Sequence, residues 1–248
     1  MKEQRFKSFF LSLLFSFMGV LLPFQTFAQN KKAYGVLSED RKTFTFRYDE
    51  QGDNYAAFDF GHESVGYSVE KVIFAPSFKA YRPTSTAYLF DGSARLKEIE
   101  GIENLNTEQV TDMRLMFEDC SSLTKLNLSN FNTEQVVFMS HMFYGCSSLV
   151  RLDLSSFKTS KLEWMDDMFA WCSSLTNVDL SSFNTSKVKG MNRMFNHCYD
   201  LNELNLSNFR GLNVETTNSM FNCCYRLNKL VFSNFGANRL NDLYGMFR

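Results

Sequence analysis

The sequence predicts an α/β solenoid of about 26-residue repeats behind a small N-terminal β cap. Three observations lead there. Phe117, Phe143, Phe169, Phe195, Phe221 and Phe247 recur at steps of 26 residues in a chain of 248. Cys120, Cys146, Cys172, Cys198 and Cys224 keep the same step, as do Leu123, Leu149, Leu175, Leu201 and Leu227. Within each copy the apolar spacing changes from helix-like to strand-like. A fixed period over more than half of a chain means one supersecondary unit stacked on copies of itself.

Taken in order, residues 1–28 read as a secretory signal peptide. Lys2, Arg5 and Lys7 precede fourteen uncharged residues from Phe9 to Leu22, then Pro23 and Thr26-Phe27-Ala28, with cleavage expected after Ala28. The apolar run is shorter than a spanning helix requires, so no transmembrane segment is expected after cleavage. Residues 29–80 form the expected β cap. Thr43 to Tyr48 alternates as a strand with Phe44 and Phe46 on one face, between the turn formers Glu39-Asp40 and Gln51-Gly52-Asp53. Val69 to Phe74 is a second strand. Such a cap would protect the first edge of the stack. The repeats then occupy 81–248: a degenerate first copy at 88–106, regular copies over 107–210, a weaker copy at 211–236 and a truncated last copy at 237–248.

A regular copy runs from Thr107 to Asn132, TEQVTDMRLMFEDCSSLTKLNLSNFN. Val110, Met113 and Phe117 at i, i+3 and i+7 predict one stripe of a short helix, with Thr107 as its N-cap. Leu126 and Leu128 alternate with Lys125, Asn127 and Ser129, which predicts a strand closed by an Asn/Ser turn. Neither element is stable alone, because a helix of about two turns is marginal in water and a lone strand has no partner. Stacking supplies partners for both.

The segments MFEDCSSLTKLNLSNF and MFYGCSSLVRLDLSSF share the pattern MFxxCxxL followed by LxxLxLSxF. They resemble the repeats of BspA-like leucine-rich repeat surface proteins, in the variant also described as a mycoplasma lipoprotein-associated domain of unknown function. The resemblance covers about residues 80–248. It implies a leucine-rich-repeat solenoid displayed at the cell surface. It also implies adhesion to host extracellular-matrix proteins, host cells or other bacteria. The first copy departs from the pattern: Ser93 stands where the cysteine would be, and one extra residue separates Ile99 from Thr107. No cysteine precedes Cys120, so the usual lipoprotein attachment site is absent.

Loss of Lys2, Glu3, Arg5 and Lys7 takes the net charge from −1 to −3. A mildly acidic chain lacks the strongly basic face that nucleic-acid binding favours. Five of six cysteines share one repeat column, which reads as a ladder of buried thiols rather than a disulfide framework; Cys223 is the one off the column. The three histidines, His62, His141 and His197, fall in no zinc-protease pattern, and no nucleophile elbow, phosphate-cradling loop or calcium loop is present. His197 beside Cys198 suggests a metal pair only if Cys198 leaves its column. No enzyme activity, cofactor or metal is therefore expected.

What remains is surface. One row across the repeats is Lys125, Arg151, Asn177, Glu203 and Lys229; the next is Asn127, Asp153, Asp179, Asn205 and Val231. These residues vary while the leucines between them are held. They read either as a solubilising face or as a concave partner-binding face. The expected partner is a protein or cell-surface ligand, the alternative being a structural envelope component with no host ligand. The incomplete last copy adds an expectation of self-association through an open C-terminal edge.

Overall fold

The computed structural model describes residues 31–211, 213–232 and 244–247. The expected signal peptide and most of the truncated last copy lie outside the described residues. So does Phe235 of the weaker copy, together with the neighbourhood of the expected open edge. Strand β1 (Lys32–Leu37) runs antiparallel to β2 (Thr43–Asp49), with Lys32 opposite Asp49 and Leu37 opposite Phe44. Parallel to β2 lies β3 (Lys71–Phe74), and parallel to β3 lies β4 (Glu98–Glu100), so one sheet has the order β1-β2-β3-β4. Phe46 and Phe74 stack across this sheet at 4.8 Å. Further along, β5 (Arg151–Asp153) pairs in parallel with β6 (Asn177–Asp179), and β7 (Glu203–Leu206) with β8 (Lys229–Phe232).

Lys71, Glu98, Lys125, Arg151, Asn177, Glu203 and Lys229 start successive rungs of one column, giving seven turns. The column begins a turn before the first copy that the sequence makes legible. Val69, Val72 and Phe78 already occupy the apolar places that Leu96, Ile99 and Leu105 fill one turn later. A second column consists of single parallel bridges: Ser85, Asp112, Phe138, Trp164, Gly190 and Thr216, each joined to the next.

The phenylalanine column is a continuous stack. Phe90, Phe117, Phe143, Phe169, Phe195 and Phe221 lie 5.1–5.7 Å from their neighbours with rings within 20° of parallel. Beside it runs the thiol ladder. Each Cys Sγ donates to the carbonyl of the phenylalanine one turn back: Cys120 to Phe90, Cys146 to Phe117, Cys172 to Phe143, Cys198 to Phe169 and Cys224 to Phe195, at 3.0–3.3 Å. All six cysteines are free thiols. Ser93 substitutes in kind, donating to the carbonyl of Gly66.

The expected helical half is not helical; among the described residues there is no α-helix. Alternate N–H groups leave their own copy instead. Met113, Leu115, Phe117 and Asp119 donate to the carbonyls of Phe138, Ser140, Met142 and Tyr144 in the next copy. The intervening Met116, Glu118 and Cys120 close turns onto carbonyls three residues back. Such chained turns bury Val110, Met113 and Phe117 completely, so the i, i+3, i+7 spacing arises without a helix. Thr107 is correspondingly no N-cap. The threonine column clips turn to turn: the Thr159 hydroxyl donates to the carbonyl of Asn184 at 3.1 Å and accepts from its N–H at 2.7 Å. Thr133 and Thr185 do the same to Lys158 and Arg210.

Candidate binding face

Alternation on the short strands sorts their residues cleanly. Leu152, Val178 and Leu204 point inward and are nearly inaccessible, while their neighbours are exposed. Lys125, Asn127, Arg151, Asp153, Asn177, Asp179, Glu203 and Asn205 all lie on the outer face, as expected for a surface row. Two shallow depressions lie along it. One, of about 510 Å³, is bordered by Asn177, Asp179, Glu203, Asn205, Lys229 and Val231. The other, of about 810 Å³, is bordered by Arg151, Asn177, Glu203 and Arg226 among others. Asn177 and Glu203 border both. Lys125, Asn127 and Asp153 border neither.

The second row carries a structural duty that spacing alone did not reveal. The side-chain oxygens of Asn127, Asp153, Asp179 and Asn205 accept from the backbone N–H of Ser129, Ser155, Ser181 and Ser207 at 2.9–3.1 Å. Each therefore makes an Asx turn, which needs Asn or Asp, although the strand expected around Leu126 and Leu128 is not formed. Asp153 sits directly opposite Asp179. Bonds from the Ser155 hydroxyl and N–H hold the Asp153 carboxyl below the ordinary range. Like charges opposed across a strand pair are mildly unfavourable, and these turn bonds offset that cost.

A family described as "Mycoplasma protein of unknown function, DUF285" matches residues 78–176 and 149–248, together most of the chain. The chain belongs to this family. Two solved structures are similar to the DUF285 chain. A leucine-rich repeat protein from T. pallidum is 24% identical with a TM-score of 0.46, over 79% of this chain and 87% of that one. A leucine-rich repeat protein from Bacteroides ovatus is 16% identical with a TM-score of 0.46, over 85% of this chain and 56% of that one. Among curated proteins, none matches the chain significantly. No helix among the described residues is long and apolar enough to cross a membrane.

Two columns of left-handed residues run through the DUF285 turns, and the sequence reading missed both. One is Tyr88, Leu115, His141, Asp167, Arg193 and Ser219, with φ of 50–63°. The other is Gly92, Asp119, Gly145, Trp171, His197 and Cys223, with φ of 53–69°. Away from glycine this conformation costs roughly 1–2 kcal/mol per residue, and Asp and His bear it better than bulky side chains. The glycines at 92 and 145 were the available signal.

The first left-handed column assembles a charged row. Arg193 makes two 2.8 Å bonds to the buried carboxylate of Asp167. His141 Nε2 lies 3.5 Å from Asp167, and its Nδ1 lies 3.6 Å from Glu118. Burial pushes the Asp167 carboxyl up, but the His141 and Arg193 cations outweigh it and leave the group below its ordinary value. Asp167 and then Glu118 push the His141 imidazole up to about 9, against its partial burial. A raised folded-state value stabilises fully below the ordinary imidazole value of about 6.5 and is lost as pH rises through about 9. The melting-temperature gap between wild type and His141→Gln should thus be widest near about pH 6 and close above about pH 9. A gap that does not change with pH would remove this account. As for His197, its Nδ1 meets Asn196 Oδ1, while the Cys198 thiol stays in its column on Phe169.

Proposed function

We propose that this chain is a secreted or surface-displayed, non-catalytic module of the BspA-like type that binds a protein or cell-surface ligand through its strand face. Residues 1–28 would direct export, 29–80 would form the cap together with the first turn of the column that starts at Lys71, and 81–248 the binding solenoid. The observation that carries the reading is the contrast across one face. Buried positions repeat from turn to turn, while the exposed positions between them change, from Arg151 to Asn177 to Glu203. A stacked-repeat surface of this kind suits a macromolecular partner better than a small molecule, because its depressions are open and polar. Host matrix proteins, host cells and other bacteria are the partners we favour, in keeping with adhesion.

The test separates contact from folding. Arg151→Ala and Glu203→Ala remove exposed heads, while Asp153→Asn and Asp179→Asn remove charge but keep the turn acceptors. The fourfold variant should lose at least about tenfold in affinity for whatever wild type captures from host matrix, equal to about 1.4 kcal/mol. Its melting temperature should stay close to that of wild type. Unchanged capture, or capture only of components of the producing cell's own envelope, would defeat the adhesion reading.

A further inference from the structure

Beside the strand face, where Asp200 and Arg226 border the second depression, two columns of the turns acquire aromatic residues only in the later copies. Trp171 and His197 occupy the second left-handed column, where earlier turns place Gly92, Asp119 and Gly145. Tyr199 and Tyr225 follow in the column that Ser121, Ser147 and Ser173 fill earlier. The fold therefore asks for no ring at any of these positions. Trp171 even adopts φ 63°, a conformation that bulky residues rarely accept, and still leaves 42% of its surface exposed. Strain held by a residue that the core does not need points outward, to function.

The rings form a corner. Trp171 and His197 stack at 3.8 Å and 12°, and Tyr199 and Tyr225 stack at 5.7 Å and 4°. The two pairs meet edge to face, Trp171 to Tyr199 at 82° and His197 to Tyr199 at 70°. Tyr225 is 77% exposed. Charge at the margin is cancelled, since Arg226 pairs with Asp200 at 3.0 Å. Burial lowers the His197 value, which favours the uncharged ring.

We propose that this corner binds a neutral hexopyranose glycan. Pyranose rings present an apolar C–H face that packs on aromatic rings and an equatorial rim of hydroxyls that bonds to amides and phenols. An uncharged platform selects against polyanions and highly charged peptides. Successive turns lie roughly 4.8 Å apart, about the length of one hexopyranose residue, so a linear glycan can run along the stack in step with it.

The experiment rewrites the corner as the earlier turns write it. Full-length mature protein, Trp171→Gly, and the double variant Tyr199→Ser/Tyr225→Ser are compared on an array of neutral hexopyranose glycans, with heparin as the polyanion control. Wild type should bind at least one neutral glycan and not heparin. Each variant should lose at least about tenfold in affinity for it. Trp171→Gly relieves the left-handed strain, so its melting temperature should not fall, which separates lost contact from lost fold. Three results would overturn the proposal: no neutral glycan bound by wild type, binding confined to heparin, or binding that both variants retain. Binding of a proline-rich peptide at the corner without any glycan would overturn it equally.

Discussion

Phe169→Ala is expected to cost about 3–5 kcal/mol, as for other buried phenylalanines. Its ring is inaccessible and stacks on Phe143 at 5.6 Å and on Phe195 at 5.3 Å. The truncation therefore weakens two interfaces at once. In a stack stabilised by nearest-neighbour contacts, an interior weak point lets the two sides unfold separately. Urea titration should show two steps by circular dichroism where wild type shows one. Phe247 is the last described member of the same column, 59% exposed and 5.5 Å from Phe221. Phe247→Ala should cost no more than about 0.5 kcal/mol, as surface changes do. Equal costs at both positions would show that the column does not carry the stack.

Thr159→Val is the second large effect. The change preserves shape and removes a hydroxyl that both donates to and accepts from the backbone of Asn184. Each unpartnered polar group costs about 1–3 kcal/mol when water cannot replace the bond. The Asn184 side chain is exposed, so water recovers part of the loss. A net destabilisation of about 1–3 kcal/mol follows. Thr159→Ser keeps the hydroxyl and should retain most of the stability. If Ser and Val variants melt together, the threonine acts by packing alone.

Much of this architecture was legible because packing columns leave identical letters at a fixed step. Phe117 and Cys120 cannot drift without leaving a hole, so their period names the stack. The helix was misread for a physical reason: chained turns and helices both return to the core after three or four residues, and apolar spacing reports only that return. What distinguishes them is the left-handed pair in each turn. That pair is written as Leu115 and Asp119 in one copy, and as Asp167 and Trp171 in another. Backbone geometry held by neighbouring copies leaves almost no single-residue signature. On the strand face, exposure of Arg151 and Glu203 followed directly from alternation. The turn duty of Asp153 and Asp179 did not, because an aspartate serving a turn and one serving a ligand are the same letter.

The forward run of hydrogen bonds in each turn has an electrical meaning. In each turn the N–H groups at alternate positions, such as Met139, His141, Phe143 and Gly145, all face the following copy, and the carbonyls they meet all face back. An ordinary sheet alternates these directions and cancels its peptide dipoles. Over this segment they add, as they do along a helix, while Val137, Glu163, Lys189 and Glu215 donate back to the preceding copy and oppose them. Each copy thus presents a row of N–H groups to the next copy and a row of carbonyls to the one before.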